Sequence, residues 1–114
     1  MILSISPVFA QESAFEKEVQ FLLESIKNTE CFFIRSTKVY SSAEALDHIQ
    51  KKYDFFKKRI YTAEDFIEYS ATKSILTGKY YYLQCGEDEK IKAADWLYKL
   101  LEGYREGGFV LNSR

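Results

Sequence analysis

Two cysteines constrain most strongly how this chain can fold. Cys31 begins the run Cys-Phe-Phe-Ile-Arg over residues 31–35, and Cys85 ends the run Tyr-Tyr-Tyr-Leu-Gln-Cys over residues 80–85. Short segments rich in aromatic and β-branched residues are typical of strands. Neighbouring strands bring such cysteines within bonding distance. The two runs therefore predict a small sheet whose central strands are joined by a disulfide.

The redox state of these cysteines depends on the compartment, and two alternatives stay open. In an oxidising compartment an even number of cysteines usually forms disulfides, and two cysteines allow one intramolecular pairing. Closing the long loop between Cys31 and Cys85 stabilises the fold by on the order of 4 kcal/mol in the chain-entropy model. In a reducing compartment the same residues would be buried free thiols. No metal site is expected, because the chain has one histidine and no Cys-x-x-Cys motif.

The N-terminal residues favour an oxidising compartment. Val8-Phe9-Ala10 followed by Gln11 matches a small-x-small cleavage site, so residues 1–10 are interpreted as the remnant of a signal peptide. An apolar first strand or a frayed terminus is the alternative. Residues 11–114 are predicted to form a single domain, which fits the usual domain size, in the periplasm or secreted. No other segment has the roughly 18 apolar residues of a membrane helix.

Composition narrows the choice of partners. The net charge is −1 and neither end of the chain carries an acidic or basic tail, which argues against binding nucleic acid. Nine tyrosines, nine phenylalanines and one tryptophan can build a core or line a groove. No cofactor is expected from any motif in the chain.

Hydrophobic periodicity predicts four helices. Three of them start at capping boxes, in which a Ser or Thr is followed three residues later by an acidic residue: Ser13 and Glu16, Ser41 and Glu44, and Thr62 and Asp65. The second apolar stripe continues to Ile60 and the third to Ser74. A polar turn is expected at residues 36–38, and a polar loop over residues 86–90 leads to the last helix. The predicted fold is α+β, with four helices packed on a small antiparallel sheet.

Candidates for chemistry are few. His48 lies on the second helix with Glu44 one turn before it and Lys52 one turn after it. A Glu-His pair can perform general acid–base catalysis, although a structural histidine is the simpler interpretation. Between positions 51 and 59, three aromatic residues are interleaved among five basic residues: Tyr53, Phe55 and Phe56 among Lys51, Lys52, Lys57, Lys58 and Arg59. This segment is either a binding surface for phosphate or an anionic polymer, or the solvated side of an amphipathic helix.

The order of several motifs resembles a bacterial family, the domain of unknown function 5329 (DUF5329). The matching elements are Cys31-Phe32-Phe33-Ile34-Arg35, Tyr40, Ala45, His48, Lys52-Tyr53, Ile60, Thr62-Ala63-Glu64-Asp65-Phe66-Ile67, Lys73-Ser74, Gly78-Lys79, Tyr81 and Cys85. The resemblance implies a small exported protein of Gram-negative bacteria with this two-cysteine pattern, and it implies no activity. It picks out Arg35, His48, Glu64 and Lys73 as candidate binding residues.

The chain departs from the family at two places. Members often have Asn-Gly after the arginine, where this chain has Ser36-Thr37, and proline where it has Tyr80. These differences leave open the type of turn that follows Arg35.

Two functions remain open at this point. The first is a binding or interaction module of the bacterial envelope that recognises a protein, a peptide or a glycan. The second is a small hydrolase in which Glu44 and His48 act as general acid and base and Arg35 holds an anionic group. Convergence of the four candidate binding residues in one concave pocket would favour an enzyme or a small-ligand site. Their dispersal over the surface would favour the module.

Overall fold

The computed structural model describes residues 13–107, which form four α-helices and one four-stranded antiparallel sheet. The predicted α+β fold is therefore confirmed. The helices are α1 (Ala14–Asn28), α2 (Ser42–Phe56), α3 (Ala63–Phe66) and α4 (Ala93–Arg105). The strands are β1 (Phe32–Arg35), β2 (Lys38–Tyr40), β3 (Tyr81–Gln84) and β4 (Ile91–Lys92), in the order β2-β1-β3-β4. The predicted signal-peptide remnant over residues 1–10 lies outside the described residues.

Capping boxes fix the start of the first three helices. In each, the hydroxyl accepts a hydrogen bond from the third helical N–H while the acidic side chain accepts one from the capping N–H. The pairs are Ser13 with Glu16, Ser41 with Glu44, and Thr62 with Asp65. These local signals place the helix starts where the sequence predicts them.

The ends of α2 and α3 differ from the prediction. The α2 helix stops at Phe56 and continues as a 3₁₀ turn over Lys57–Arg59, so Ile60 is buried just beyond the helix. The α3 helix widens into a π-helical turn over Ile67–Ala71 and does not reach Ser74. The Thr72 hydroxyl donates to the Ile67 carbonyl at 2.8 Å, and such side-chain bonds compete with regular helix hydrogen bonding.

Strand β1 lies at the centre of the sheet and pairs with β2 and β3. Phe32 is opposite Gln84, so Cys31 and Cys85 occupy the next position along the ladder. Their sulfurs are bonded and their Cα atoms are 4.5 Å apart, which confirms the predicted disulfide. The polar turn is shorter than predicted, because Lys38 already belongs to β2. Strand β4 was not predicted, since two residues carry no detectable alternation.

The two faces of the sheet have different surroundings. Phe33, Tyr81 and Leu83 are buried on the inner face, in one core with residues of all four helices such as Leu22 and Leu97. Strand side chains alternate between the faces, so the neighbouring positions point away from this core. These positions include Phe32 and Val39, which are 51% and 60% exposed. The helices thus cover the inner face and leave the outer face open.

Candidate functional site

A basic–aromatic cluster lies at the β1–β2 hairpin, where α2 crosses the inner face of the sheet. It consists of Arg35, Tyr40, His48, Lys52 and Tyr81. The Arg35 guanidinium carbon is 5.6 Å from the centre of the Tyr40 ring and 5.9 Å from the centre of the Tyr81 ring. These distances fall within the range of cation–π attraction. The two tyrosines therefore hold the guanidinium at the edge of the core.

Lys52 reaches the same tyrosine from α2. Its Nζ atom donates to the Tyr81 hydroxyl and to the Lys73 carbonyl, both at 3.0 Å, and lies 4.3 Å from the Tyr81 ring centre. Burial lowers the pKa of Lys52 below its usual value, and the charge of Arg35 lowers it further, although the hydrogen bond to Tyr81 opposes the shift. Lys52 is thus a partly desolvated cation beside a second cation.

The charge of the cluster is not balanced by an acid. Lys38 stands directly opposite Arg35 in the β1–β2 ladder. In the described part of the chain, Arg35, Lys38 and Lys52 have no salt bridge to a carboxylate within 4 Å. Like charges directly opposite on a sheet are destabilising. The cluster is consequently a local concentration of positive charge in a protein whose net charge is −1.

His48 contacts Tyr40, with ring centres 5.1 Å apart in an edge-to-face arrangement. Glu44, one turn before it, accepts a hydrogen bond from the Ser41 N–H at 2.9 Å and serves as the acid of the α2 capping box. The cavity beside His48 and Tyr40 has a volume of about 10 Å³. That volume holds one water molecule at most. The geometry therefore places Glu44 in helix capping and gives His48 no substrate-sized pocket.

Glu64 belongs to a different part of the molecule. Its carboxylate accepts from Arg105 at 2.5 and 3.0 Å, and Arg105 also donates to Glu18 at 2.8 and 3.0 Å. The hydrogen bond from Arg105 lowers the pKa of Glu64 below its usual value. Arg105 thereby joins α4 to α1 and α3 through salt bridges, so Glu64 has a structural role.

Lys73 connects the cluster with the outer face of the sheet. Its carbonyl binds Lys52, whereas its ammonium lies 5.7 Å from the centre of the Tyr80 ring. Lys92 approaches the same ring to 4.3 Å, and Lys90 approaches the Tyr82 ring to 5.2 Å. Three lysines therefore surround two neighbouring tyrosines.

These lysines border the outer sheet face, which is defined by Phe32, Ile34, Val39, Tyr80 and Tyr82. Ile34 pairs with Val39 on one side and with Tyr82 on the other, so the side chains form a continuous row across β2, β1 and β3. Phe32, Val39 and Tyr80 are among the exposed large hydrophobic residues. A contiguous apolar patch with a polar border is typical of an interaction surface.

The four candidate binding residues are only partly brought together. Arg35 and His48 share contacts with Tyr40, and Lys73 is linked to them through Lys52. Glu64 lies apart, in its ion pair with Arg105. From the sequence, Lys52 is one turn after His48, part of the basic segment over residues 51–59 and one of the elements that match the family. Tyr40 and Tyr81 match the family as well, but no role was predicted for them. Tyr81 enters the cluster because it pairs with Arg35 in the β1–β3 ladder, and Tyr40 because it belongs to β2. The predicted sheet specified neither the register of β1 and β3 nor strand β2.

Residues 13–107 contain neither a metal-binding cluster nor a membrane-spanning helix. No group of three His, Cys, Asp or Glu side chains is arranged to hold a metal ion there. The helices formed by these residues are too short or too polar to cross a bilayer.

Comparison with protein-family models matches residues 13–105 to one family, described as "Family of unknown function (DUF5329)". The matched region contains every helix and strand of the described structure. Searches of the curated proteins and of the solved structures found no significant match.

Proposed function

Since this chain belongs to the family of unknown function DUF5329, whose description names no activity, we propose a function from the geometry. The protein is a binding module, and its outer sheet face binds an acidic polypeptide segment that also carries apolar residues. The observation that carries this proposal is the uncovered row of apolar side chains bordered by three lysines. The partner is a protein of the bacterial envelope.

The apolar part of the surface favours a polypeptide over a glycan. Aromatic rings stack on sugars and on peptides alike, but the row also contains the aliphatic side chains of Ile34 and Val39. Val39 is 60% exposed. Burying apolar area contributes about 25 cal/mol per Å², and apolar side chains of a polypeptide supply a matching surface.

The charge of the border favours an acidic partner. Lys73, Lys90 and Lys92 each lie over a tyrosine ring, which positions their ammonium groups beside the apolar row. In the described structure none of these three lysines has a salt bridge to a carboxylate. Charge complementarity of this kind increases association rates and specificity more than affinity.

Export of the protein is part of the proposal. A disulfide such as Cys31–Cys85 persists in oxidising compartments and is rare in the cytosol. Together with the cleavage-site pattern at Val8-Phe9-Ala10, it supports a periplasmic or secreted location. The hydrolase alternative receives no comparable support, because Glu44 caps α2 and the cavity beside His48 is too small for a substrate.

Selection from a displayed library of random peptides tests the proposed function. We expect enriched peptides to combine acidic and apolar residues, and their binding to perturb NMR signals on the outer sheet face. The variant Phe32→Ser/Val39→Ser should weaken binding at least tenfold. Phe55→Ser is the matched control, because Phe55 is also an exposed aromatic residue but lies on α2.

Three outcomes would contradict the proposal. The first is enrichment of peptides without acidic residues, and the second is equal binding by the Phe32→Ser/Val39→Ser variant. The third is tighter binding of oligosaccharides than of any selected peptide, which would identify a glycan-binding module.

A further inference from the structure

We infer that the Arg35, Lys38 and Lys52 side chains form a binding site for a small oxyanion, either a carboxylate or a phosphate group. The inference is independent of the outer sheet face, since Arg35 and Lys38 project from the opposite face of the sheet. It rests on the position of three cations, on their unused hydrogen-bond donors and on the lack of an acidic partner.

The positions of the cations create repulsion within the folded protein. Arg35 and Lys52 both approach the Tyr81 ring, at 5.9 and 4.3 Å from its centre. Their charges are therefore within about 10 Å of each other, which is one Debye length at 0.1 M salt. Lys38 faces Arg35 directly across the hairpin. An anion bound between these groups would offset the repulsion.

The hydrogen-bond donors of the cluster are only partly used. An ammonium group has three donors, and Lys52 spends two of them on the Tyr81 hydroxyl and the Lys73 carbonyl. The guanidinium of Arg35 contacts two rings and donates no hydrogen bond to any described residue. Its planar fork matches the two oxygens of a carboxylate or a phosphate.

The aromatic rings make this arrangement rigid before any ligand arrives. Tyr81 is only 8% exposed and Tyr40 packs against His48, so the guanidinium rests on side chains that are themselves fixed. Preorganisation reduces the ordering cost of binding. Partial desolvation of Lys52 also strengthens its attraction to an anion. Both effects favour a bound oxyanion over a loosely held counterion.

Anion titrations of the whole protein test the inference. Inorganic phosphate, acetate and chloride are added at matched ionic strength, and the side-chain ¹⁵N signal of Arg35 and the melting temperature are followed. We expect phosphate or acetate to shift both readouts in a saturable way, and chloride to shift neither. Phosphate alone would identify a phosphate site, and acetate alone a carboxylate site.

Variants separate a specific site from general screening. Arg35→Gln should raise the apparent dissociation constant at least tenfold, and Arg35→Lys should restore little of the loss because it lacks the planar fork. Lys51→Gln is the matched control, since Lys51 lies beside Lys52 on α2 but pairs with Asp47 at 3.1 Å. Phe32→Ser/Val39→Ser should bind the anion normally even if the outer face proves inactive.

Two results would overturn the inference. One is an equal response to all three anions, which indicates screening alone. The other is an unchanged response in folded Arg35→Gln, with a normal circular dichroism spectrum.

Discussion

Two arginines of this protein occupy opposite electrostatic settings. Arg105 donates to Glu18 and Glu64 and is held by two carboxylates from two other helices. Arg35 lies between two tyrosine rings, opposite Lys38 and near Lys52. Arg105 has its counter-charges within the fold, whereas Arg35 does not. The comparison indicates that one arginine serves the structure and the other remains available to a ligand.

The two arginines also differ in the strength of the contacts that hold them. The carboxylates around Arg105 raise its pKa above the usual value and connect residues far apart in sequence. Around Arg35 the contacts are with ring faces, which are weaker and leave the N–H groups unused. A protein that needed Arg35 only for stability would gain more from a carboxylate partner.

The largest effect is expected from removing the disulfide that supports the Arg35 side of the molecule. The double variant Cys31→Ser/Cys85→Ser should lose about 4 kcal/mol of unfolding free energy, because the unfolded chain regains the entropy of an open loop. Urea denaturation measures this loss. Dithiothreitol should destabilise the parent protein and leave the double variant unchanged. An equal urea midpoint for the parent protein and the double variant would show that the disulfide does not stabilise the fold.

The next prediction compares the stability lost when each arginine is replaced by glutamine. Arg105→Gln should lower the unfolding free energy by about 1–2 kcal/mol, a modest value because charge-assisted pairs at a partly exposed site are screened. Arg35→Gln should change it by less than about 0.5 kcal/mol, since the substitution also relieves repulsion from Lys38 and Lys52. Both are compared by urea denaturation at low salt. A greater loss for Arg35→Gln would reverse the assigned roles.

Lowering the pH should reduce the stability that the ion pair between Glu64 and Arg105 contributes. The pKa of Glu64 is lowered from 4.5 in the folded protein, so its contribution is fully present above that pH and is lost as the pH falls through the folded value. Unfolding free energies measured between pH 5 and pH 3 should therefore fall less steeply in Glu64→Gln than in the parent protein. If the unfolding free energies of Glu64→Gln and of the parent protein fell in parallel with pH, Glu64 would have the same pKa in the folded and the unfolded protein.

A small effect is expected in the turn that follows Arg35. Ser36 has φ 58°, a backbone region that favours glycine and asparagine. Relief of the left-handed conformation, worth about 1–2 kcal/mol, exceeds the cost of the entropy that glycine adds to the unfolded chain, about 0.4–1 kcal/mol. Ser36→Gly should therefore raise the unfolding free energy by up to about 1 kcal/mol. Thr37→Gly is the control and should lower it, because Thr37 has no positive φ. A stabilised Thr37→Gly would show that chain flexibility, not backbone strain, controls the hairpin.

Much of the fold could be predicted because its signals are local. Capping boxes and apolar stripes placed the helices, and the two aromatic runs with their cysteines placed β1 and β3. These local patterns did not predict the elements that are short or irregular. Lys38–Tyr40 and Ile91–Lys92 are too short to show alternation, and they become strands only by pairing with β1 and β3.

The candidate site could be predicted only in part. Arg35, His48 and Lys73 were proposed from the resemblance, and the structure brings Arg35 and His48 together at Tyr40. Lys73 joins them only through its backbone carbonyl, which accepts from Lys52, while its ammonium lies at Tyr80 on the outer sheet face. Glu64 was proposed on the same basis, but it forms a salt bridge with Arg105 away from the other three residues. No local pattern distinguishes these two outcomes, since each depends on a residue distant in sequence.

The sequence by itself determined the starts of the helices, the two central strands and the cysteine pair, because each depends on neighbouring residues or on a simple alternation. Only the tertiary structure decided which charges meet. It placed Lys38 and Lys52 beside Arg35, and Glu18 and Glu64 beside Arg105. Coulombic energy depends on distance through space, so residues with the same charge in the sequence acquire opposite roles in the fold.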